Sequence, residues 1–272
     1  MNTEQKVSEH YGKEGLEERI LQALKRLGKD SVTPGDLAAM DEFHVGGLAA
    51  TRELAEQMEL RPGLRMLDVG SGVGGPARYF AAEHWCHVTG VDLTDEFVRV
   101  AQNLTRMLKL EDLAEFRQAS ALELPLTDGT FDRAYMIHVG MNIADKAGVF
   151  REVKRVLKPG GLFAIFDVMR KGEGTLRYPL PWALSEETSF VADVATYRRM
   201  LEDAGFRIEK ERGRGEFAIQ ATERNVEQMA KNGPPVLGLQ LLMGENTPLM
   251  VKNVLAMMKE GLVEPVELVA RC

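Results

Sequence analysis

Two acids and a run of glycines stand at spacings that can do chemistry. Asp68 comes two residues before Gly70-Ser71-Gly72-Val73-Gly74-Gly75, and Asp92 stands about 20 residues after Gly70. A glycine loop between a strand and its helix lets a ligand approach the backbone closely and aims helix N–H groups at it. Gly70, Gly72 and Gly75 alone match the G-x-G-x-x-G pattern of a dinucleotide site. A pyrophosphate there would meet the carboxylate of Asp68, and like charges at one site are unfavourable. An ammonium suits Asp68 better, and ribose hydroxyls suit an acid at Asp92. Plainer roles stay open: Asp68 as the cap of a backbone turn, Asp92 as an acid at a helix N-terminus beside Thr94.

A ligand with an ammonium, a ribose and no phosphate is S-adenosylmethionine. Methyl transfer from its sulfonium is an in-line displacement, so most of what a protein supplies is orientation, worth up to roughly 7–11 kcal/mol. A base is needed only if the acceptor arrives protonated. His138 is the candidate, because its charge changes near neutral pH. A packing or adenine-facing role is its alternative. His138, Met141 and Asn142 follow the strand-like "FDRAYMI", at the carboxyl end where open α/β sheets bind ligands. His44 in "DEFHVGG" is a second candidate if its helix folds over the pocket, with Gly46, Gly47 and Thr51 beside it and Tyr11 in an N-terminal cover. Trp182 in "YPLPWA", with Tyr178 and Phe190, would offer cation–π contacts of about 0.5–2 kcal/mol each to a substituted ammonium. Anchoring a Pro-rich loop to the core is the competing role.

The elements that must position these residues alternate. "LRMLDV", "CHVTGVDL", "AEFRQA", "FDRAYMIHV" and "GGLFAIFDV" are strand-like. "GPARYFAAEH", "TDEFVRVAQNLTRML" (with Thr94 as cap) and "DKAGVFREVKRVL" are helical. This order predicts an α/β fold with a mainly parallel sheet and helices on both faces. Upstream, residues 14 to 28 predict a helix with Leu16, Ile20, Leu24 and Leu27 on one face and Gly28 as its stop. Thr33-Pro34 marks the next helix start. Downstream come a helix over Val194–Ala204, the strand "FRIEKER", a Met-rich helical stretch from 218 to 261 and a last strand "VEPVELVARC". The methionines of that stretch fill a core or line an adaptable pocket. The expected division is a helical cover over 1–60 and a main domain over 61–272, with 218–261 a lid-like insertion.

"LDVGSGVGG", "GVDLT", "ALELPLTDGTFDRAYMIH" and "REVKRVLKPGGLF", in this order from Leu67 to Phe163, resemble class I S-adenosylmethionine-dependent methyltransferases. The loop and second strand look most like the glycine, sarcosine and dimethylglycine N-methyltransferases. Ubiquinone and menaquinone biosynthesis methyltransferases are near relatives. The resemblance implies a Rossmann-like, doubly wound, seven-stranded sheet with an antiparallel last strand. It also implies that Asp68 faces the methionine ammonium. Gly70, Ser71, Gly72 and Gly74 would line methionine and ribose, Asp92 would take the ribose hydroxyls, and Leu93 would lie against adenine. Where the family often carries Asp toward the adenine amine, this chain has Ser120, so the backbone of Ala121 and Leu122 is a substitute. His138 would be catalytic, and His44, Met141, Asn142 and Trp182 would meet the substrate.

Composition narrows the partners. A net charge of −7 over 272 residues argues against nucleic acid or an anionic membrane as partner. Two cysteines, Cys86 and Cys272, make neither a disulfide framework nor a metal cluster and fit a reducing cytoplasm. The polar "MNTEQKVSEHYGKEG" lacks the apolar stretch of a signal peptide, and no apolar run is long enough to span a membrane. The expected function is methylation of a small molecule, most of all an amine. C- or O-methylation of a quinone or lipid-like ring is the alternative, and a non-catalytic cofactor-binding protein is the alternative of another class. An anionic amino-acid substrate would want a basic clamp, for which Arg170 and Arg177 are the candidates. The substrate itself and the oligomeric state stay open.

Overall fold

Near-continuous apolar strands are what a sheet covered on both faces requires, and the computed structural model contains such a sheet. It describes residues 3–12, 15–29 and 31–272. The strands are β1 (Arg65–Val69), β2 (His87–Asp92), β3 (Ala114–Gln118), β4 (Phe131–Ile137), β5 (Leu157–Arg170), β6 (Arg207–Gly213) and β7 (Val263–Arg271), in the order 3-2-1-4-5-7-6. Strands β1 to β5 pair in parallel, while β7 runs antiparallel to both β5 and β6. The α/β Rossmann-like fold with its antiparallel last strand is therefore present as the sequence implied.

Alternation along β1 sends its side chains to opposite faces. Leu67 and Val69 join the core under α7 (Lys146–Val156) and α8 (Val194–Asp203). Met66 joins the core under α4 (Gly47–Ala55), α5 (Gly75–His84) and α6 (Asp95–Met107). Asp68 shares the face of Met66 and is registered against Tyr135 of β4, which puts an acid inside an otherwise apolar layer. Ala50 and Leu54 of α4 pack in this same layer, so apolar packing continues across residue 60.

Upstream of α4 lie α1 (Thr3–Tyr11), α2 (Leu16–Leu27) and α3 (Pro34–Asp41). Leu16, Ile20 and Leu24 of α2 are buried as their spacing predicts, and Gly28 ends the helix at φ 62°. Glu14, where that helix was expected to begin, lies outside the described residues. At the start of α3 the carboxylate of Asp36 accepts the Thr33 backbone N–H at 2.9 Å, the return half of a capping box. Thr94 departs from expectation. It occupies the cap position of α6, but its side chain makes no capping bond; instead Asp92 Oδ1 accepts the Thr94 N–H at 2.8 Å. Between β6 and β7 the chain inserts α9 (Gly215–Asn232), α10 (Gln240–Met243) and α11 (Thr247–Lys259). Met250, Met257 and Met258 are buried there, whereas Met229 is exposed.

Candidate cofactor and acceptor site

The carboxyl ends of β1, β2 and β4 open on a cavity of about 420 Å³, within the size range of small-molecule sites. Its wall gathers residues far apart in sequence: Asp68, Gly70, Ser71 and Gly72 from β1 and its loop, Asp92 and Leu93 from β2, Ala121 and Leu122 after β3, His138 and Asn142 after β4, and His44 before α4. Nothing in local periodicity links the last of these to the rest.

Asp68 is 3 % exposed, and its Oδ2 is buried without a hydrogen-bond partner. Burial pushes its carboxyl up to about 8, opposed by the neighbouring Tyr135 phenol and raised further by the charge of Asp92. Such an acid is poised for a cationic partner that would restore its ionised form. The glycine loop is shaped around it. Gly70 has φ 74°, and a Cβ there would lie 2.4 Å from the Val139 side chain, so only glycine lets the 139 segment close on the loop. Four of the loop's amides are already engaged. Gly70 and Ser71 donate to the Val91 carbonyl at 2.8 and 2.9 Å, Gly74 donates to Ser71 O at 2.9 Å, and Gly72 donates to Asp92 Oδ2 at 2.8 Å. A pyrophosphate cradle needs those N–H groups free, so the dinucleotide reading of the glycine pattern loses its physical basis. Asp92, held through both oxygens by backbone N–H groups, keeps lone pairs in the cavity suited to a diol.

The two histidines sit edge to face with ring centroids 5.8 Å apart. His138 leaves β4 at φ 54°, an uncommon conformation for a residue with a Cβ, and its ring lies 4.9 Å from that of Phe166. Its Nδ1 accepts the Val45 N–H at 3.5 Å, a long bond. That partner assigns the proton of the neutral ring to Nε2, which is buried and unpartnered. His44 is wired the other way. Its Nε2 faces the Gly47 carbonyl at 3.1 Å and Thr51 Oγ1 at 3.2 Å, with Glu42 Oε2 at 3.6 Å behind, so the lone pair of its neutral ring falls on Nδ1. Burial holds His44 down at about 4, and burial with the charge of His44 holds His138 well below its ordinary value. Both are neutral at pH 7.

Gly74, Ser120, Met141 and Trp182, expected at the site, stand outside its wall, as do the weaker candidates Gly46, Gly47, Thr51, Tyr178 and Phe190. Gly74 shapes the start of α5, where a Cβ would strike Phe116 at 2.6 Å. The Ser120 hydroxyl donates to Glu4 of α1. Met141 and Trp182 are core residues that pack with Val168 and Leu180. The Trp182 indole donates to Ser189 Oγ at 3.0 Å, and its carbonyl takes the Asn142 side-chain N–H at 2.6 Å. Trp182 thus anchors the loop after β5, the competing role weighed for it. Residues not singled out from sequence join the wall instead: Phe43, Phe97, Val139, and Thr3, Glu4 and Val7 of α1. Tyr11 also joins it, with its hydroxyl donating to Asn142 Oδ1 at 2.9 Å.

A family model described as a methyltransferase domain matches residues 67–165. The chain is 33% identical over 186 residues to phosphoethanolamine N-methyltransferase 1 of Arabidopsis thaliana, covering 68% of this chain and 37% of that protein. It thus spans little more than a third of the length of the plant proteins it matches. Among solved structures, phosphoethanolamine N-methyltransferase 2 of Haemonchus contortus in complex with S-adenosyl-L-methionine aligns with TM-score 0.72 at 20% identity, covering 91% of this chain and 59% of that one. The [4+2]-cyclase SpnF aligns with TM-score 0.70 at 23% identity, covering 99% and 97%. At these identities the structural likeness concerns the fold. With its motifs, its strand order and the matched domain, the chain belongs to the class I S-adenosylmethionine-dependent methyltransferases.

Proposed function

We propose that this chain methylates the nitrogen of a small-molecule amine, with S-adenosylmethionine as methyl donor. The observation that carries the reading is the buried, unpartnered Asp68 oxygen in a cavity where the Gly70, Ser71 and Gly72 amides are already engaged. Asp68 would hold the donor's ammonium and Asp92 its ribose hydroxyls, with Leu93, Ala121 and Leu122 beside the base. When bound, the donor supplies an electrophilic methyl group on a sulfonium.

The chain's own residues supply orientation and exclude water. Helix α1 covers the cavity with Thr3, Glu4, Val7 and Tyr11. His138 Nε2–H and His44 Nδ1 bring one donor and one lone pair to the site without adding charge. An amine reacts through its lone pair, so it must stand there unprotonated, and neutral histidines do not compete with it as cations. We assign the proton-accepting role to His44 Nδ1 and a positioning role to His138. Its partner in this reading is a small molecule, and its two free cysteines, Cys86 and Cys272, suit a reducing compartment such as the cytoplasm.

The test is calorimetric titration with S-adenosylmethionine and NAD, followed by assay of S-adenosylhomocysteine formation on an amine panel. The expected result is binding of the first alone, with turnover on amines. Binding without turnover on any acceptor would sink the enzymatic reading in favour of a cofactor-binding protein. The apolar part of the wall supports one further acceptor, a hydroxyl or carbon on an apolar ring, which the same panel includes.

A further inference from the structure

The cavity wall has one sign. Its formally charged side chains are Glu4, Asp41, Asp68, Asp92 and Asp145, and no lysine or arginine of the described residues lines it. Cations on the flanking elements are engaged elsewhere. Arg170 donates to the Gly174 carbonyl through Nη2, and its Nη1, buried without a partner, stands outside the wall, while Arg177 pairs with Glu260 at 2.7 Å. Lys6 of α1 pairs with Glu187 at 3.0 Å. Lys146 is turned toward the carbonyls of Ile143 and Phe190 at 2.7 and 2.6 Å. Arg78 is buried against Asp41 and the Val73 carbonyl, each at 2.7 Å.

The backbone donors of the glycine loop and of the turn after β4 do not make up the difference. The amides of Gly70, Ser71, Gly72 and Gly74 are used within the loop. Those of Val139 and Gly140 donate to the buried Asp167 carboxylate at 2.9 and 3.1 Å. The rest of the wall is largely apolar, with Phe43, Phe97, Leu122, Ile137, Val139 and Ile143.

Resting on the methyltransferase reading above, we infer that the acceptor is an amine on an uncharged, largely apolar body, carrying neither phosphate nor carboxylate. A buried anion needs a paired cation or several free N–H donors, and this cavity offers it acids instead. An amine meets no such penalty, because its lone-pair form is neutral and any protonated fraction faces carboxylates. The inference separates this chain from the phosphoethanolamine enzymes it is similar to, whose named acceptor bears a phosphate. It also departs from the glycine-type acceptors that the glycine loop suggested.

The test uses the full chain with S-adenosylmethionine and acceptors in matched pairs: N-methylbenzylamine against its 4-carboxylate, with sarcosine and phosphoethanolamine added. Cofactor binding is measured first. Its absence overturns the methyltransferase reading itself and, with it, this inference. With cofactor bound, the expected result is a kcat/KM at least about 100-fold higher for the uncharged body than for its carboxylate twin, and no turnover of sarcosine or phosphoethanolamine. Equal or better turnover of any anionic member overturns the inference and leaves the methyltransferase reading standing. Methylation confined to an alcohol or ring carbon overturns its amine half. If no pair turns over, binding to the chain saturated with S-adenosylhomocysteine decides. Tighter binding of the uncharged twin supports the inference, and no preference or the reverse preference overturns it.

Discussion

At the scale of single residues, the site is defined by groups whose burial has moved their protons. His44 and His138 are both neutral, yet hydrogen bonding gives them opposite tautomers, with the lone pair on His44 Nδ1 and the proton on His138 Nε2. Losing a general base typically costs 10²–10⁴-fold in rate. His44→Ala is therefore expected to lower kcat by about that factor with KM little changed. His138→Ala should chiefly raise KM for the acceptor. Steady-state kinetics of both variants check the split, and the reverse pattern would return the base assignment to His138. The buried Asp68 and half-buried Asp92 were legible in sequence as cavity residues because the type of residue at a strand end limits its ligand. The choice of base between His44 and His138 is not legible there, because a tautomer depends on which carbonyl or amide lies across the fold.

At the scale of elements, one side chain ties three of them together. Arg78 of α5 donates to Asp41 at the end of α3, to the Val73 carbonyl in the glycine loop, and to Ala101 O and Thr105 Oγ1 of α6. Removing one member of a buried ion pair leaves the other charge uncompensated, at a cost of about 3–5 kcal/mol. Arg78→Ala should lose roughly that much unfolding free energy in urea titration, and a loss below about 1 kcal/mol would show that water replaces the guanidinium. Sequence periodicity reads the elements of the sheet well, since β1, β2, β4, β5 and β7 are buried along most of their length and the helices packed on them carry apolar stripes. It passes over α1, which has no buried residue among those described. That helix is held by polar contacts at Asn142, Ser120, Glu187 and the Pro181 carbonyl, and such contacts leave no periodic trace. Trp182 shows the converse limit: an aromatic in a loop over the site looks the same in sequence whether it faces the ligand or the core.

At the scale of the whole molecule, the shifted acids set a pH dependence. Burial raises Asp68 and Glu42 to about 8 from their ordinary 3.8 and 4.5. The folded chain then binds more protons than the unfolded one between those limits, and stability is lost as pH rises through about 8. His44, held at about 4 instead of 6.5, acts oppositely: its contribution is lost as pH falls from 6.5 toward 4. Between pH 6.5 and 8 the carboxyls dominate, so the ligand-free chain should lose stability across that interval, as urea midpoints at the two ends would record. A bound ammonium reverses the balance at Asp68. S-adenosylmethionine binding at pH 7 should release a proton, visible by calorimetry in buffers of unlike ionisation enthalpy and absent in Asp68→Asn. A rising stability from pH 6.5 to 8 would mean that these acids are ionised in the free chain. The polar docking of α1 also bears on how a donor reaches the cavity. Thr3, Glu4, Val7 and Tyr11 form part of the cavity wall, so a donor reaching the floor passes beside a helix whose polar contacts are replaceable by water.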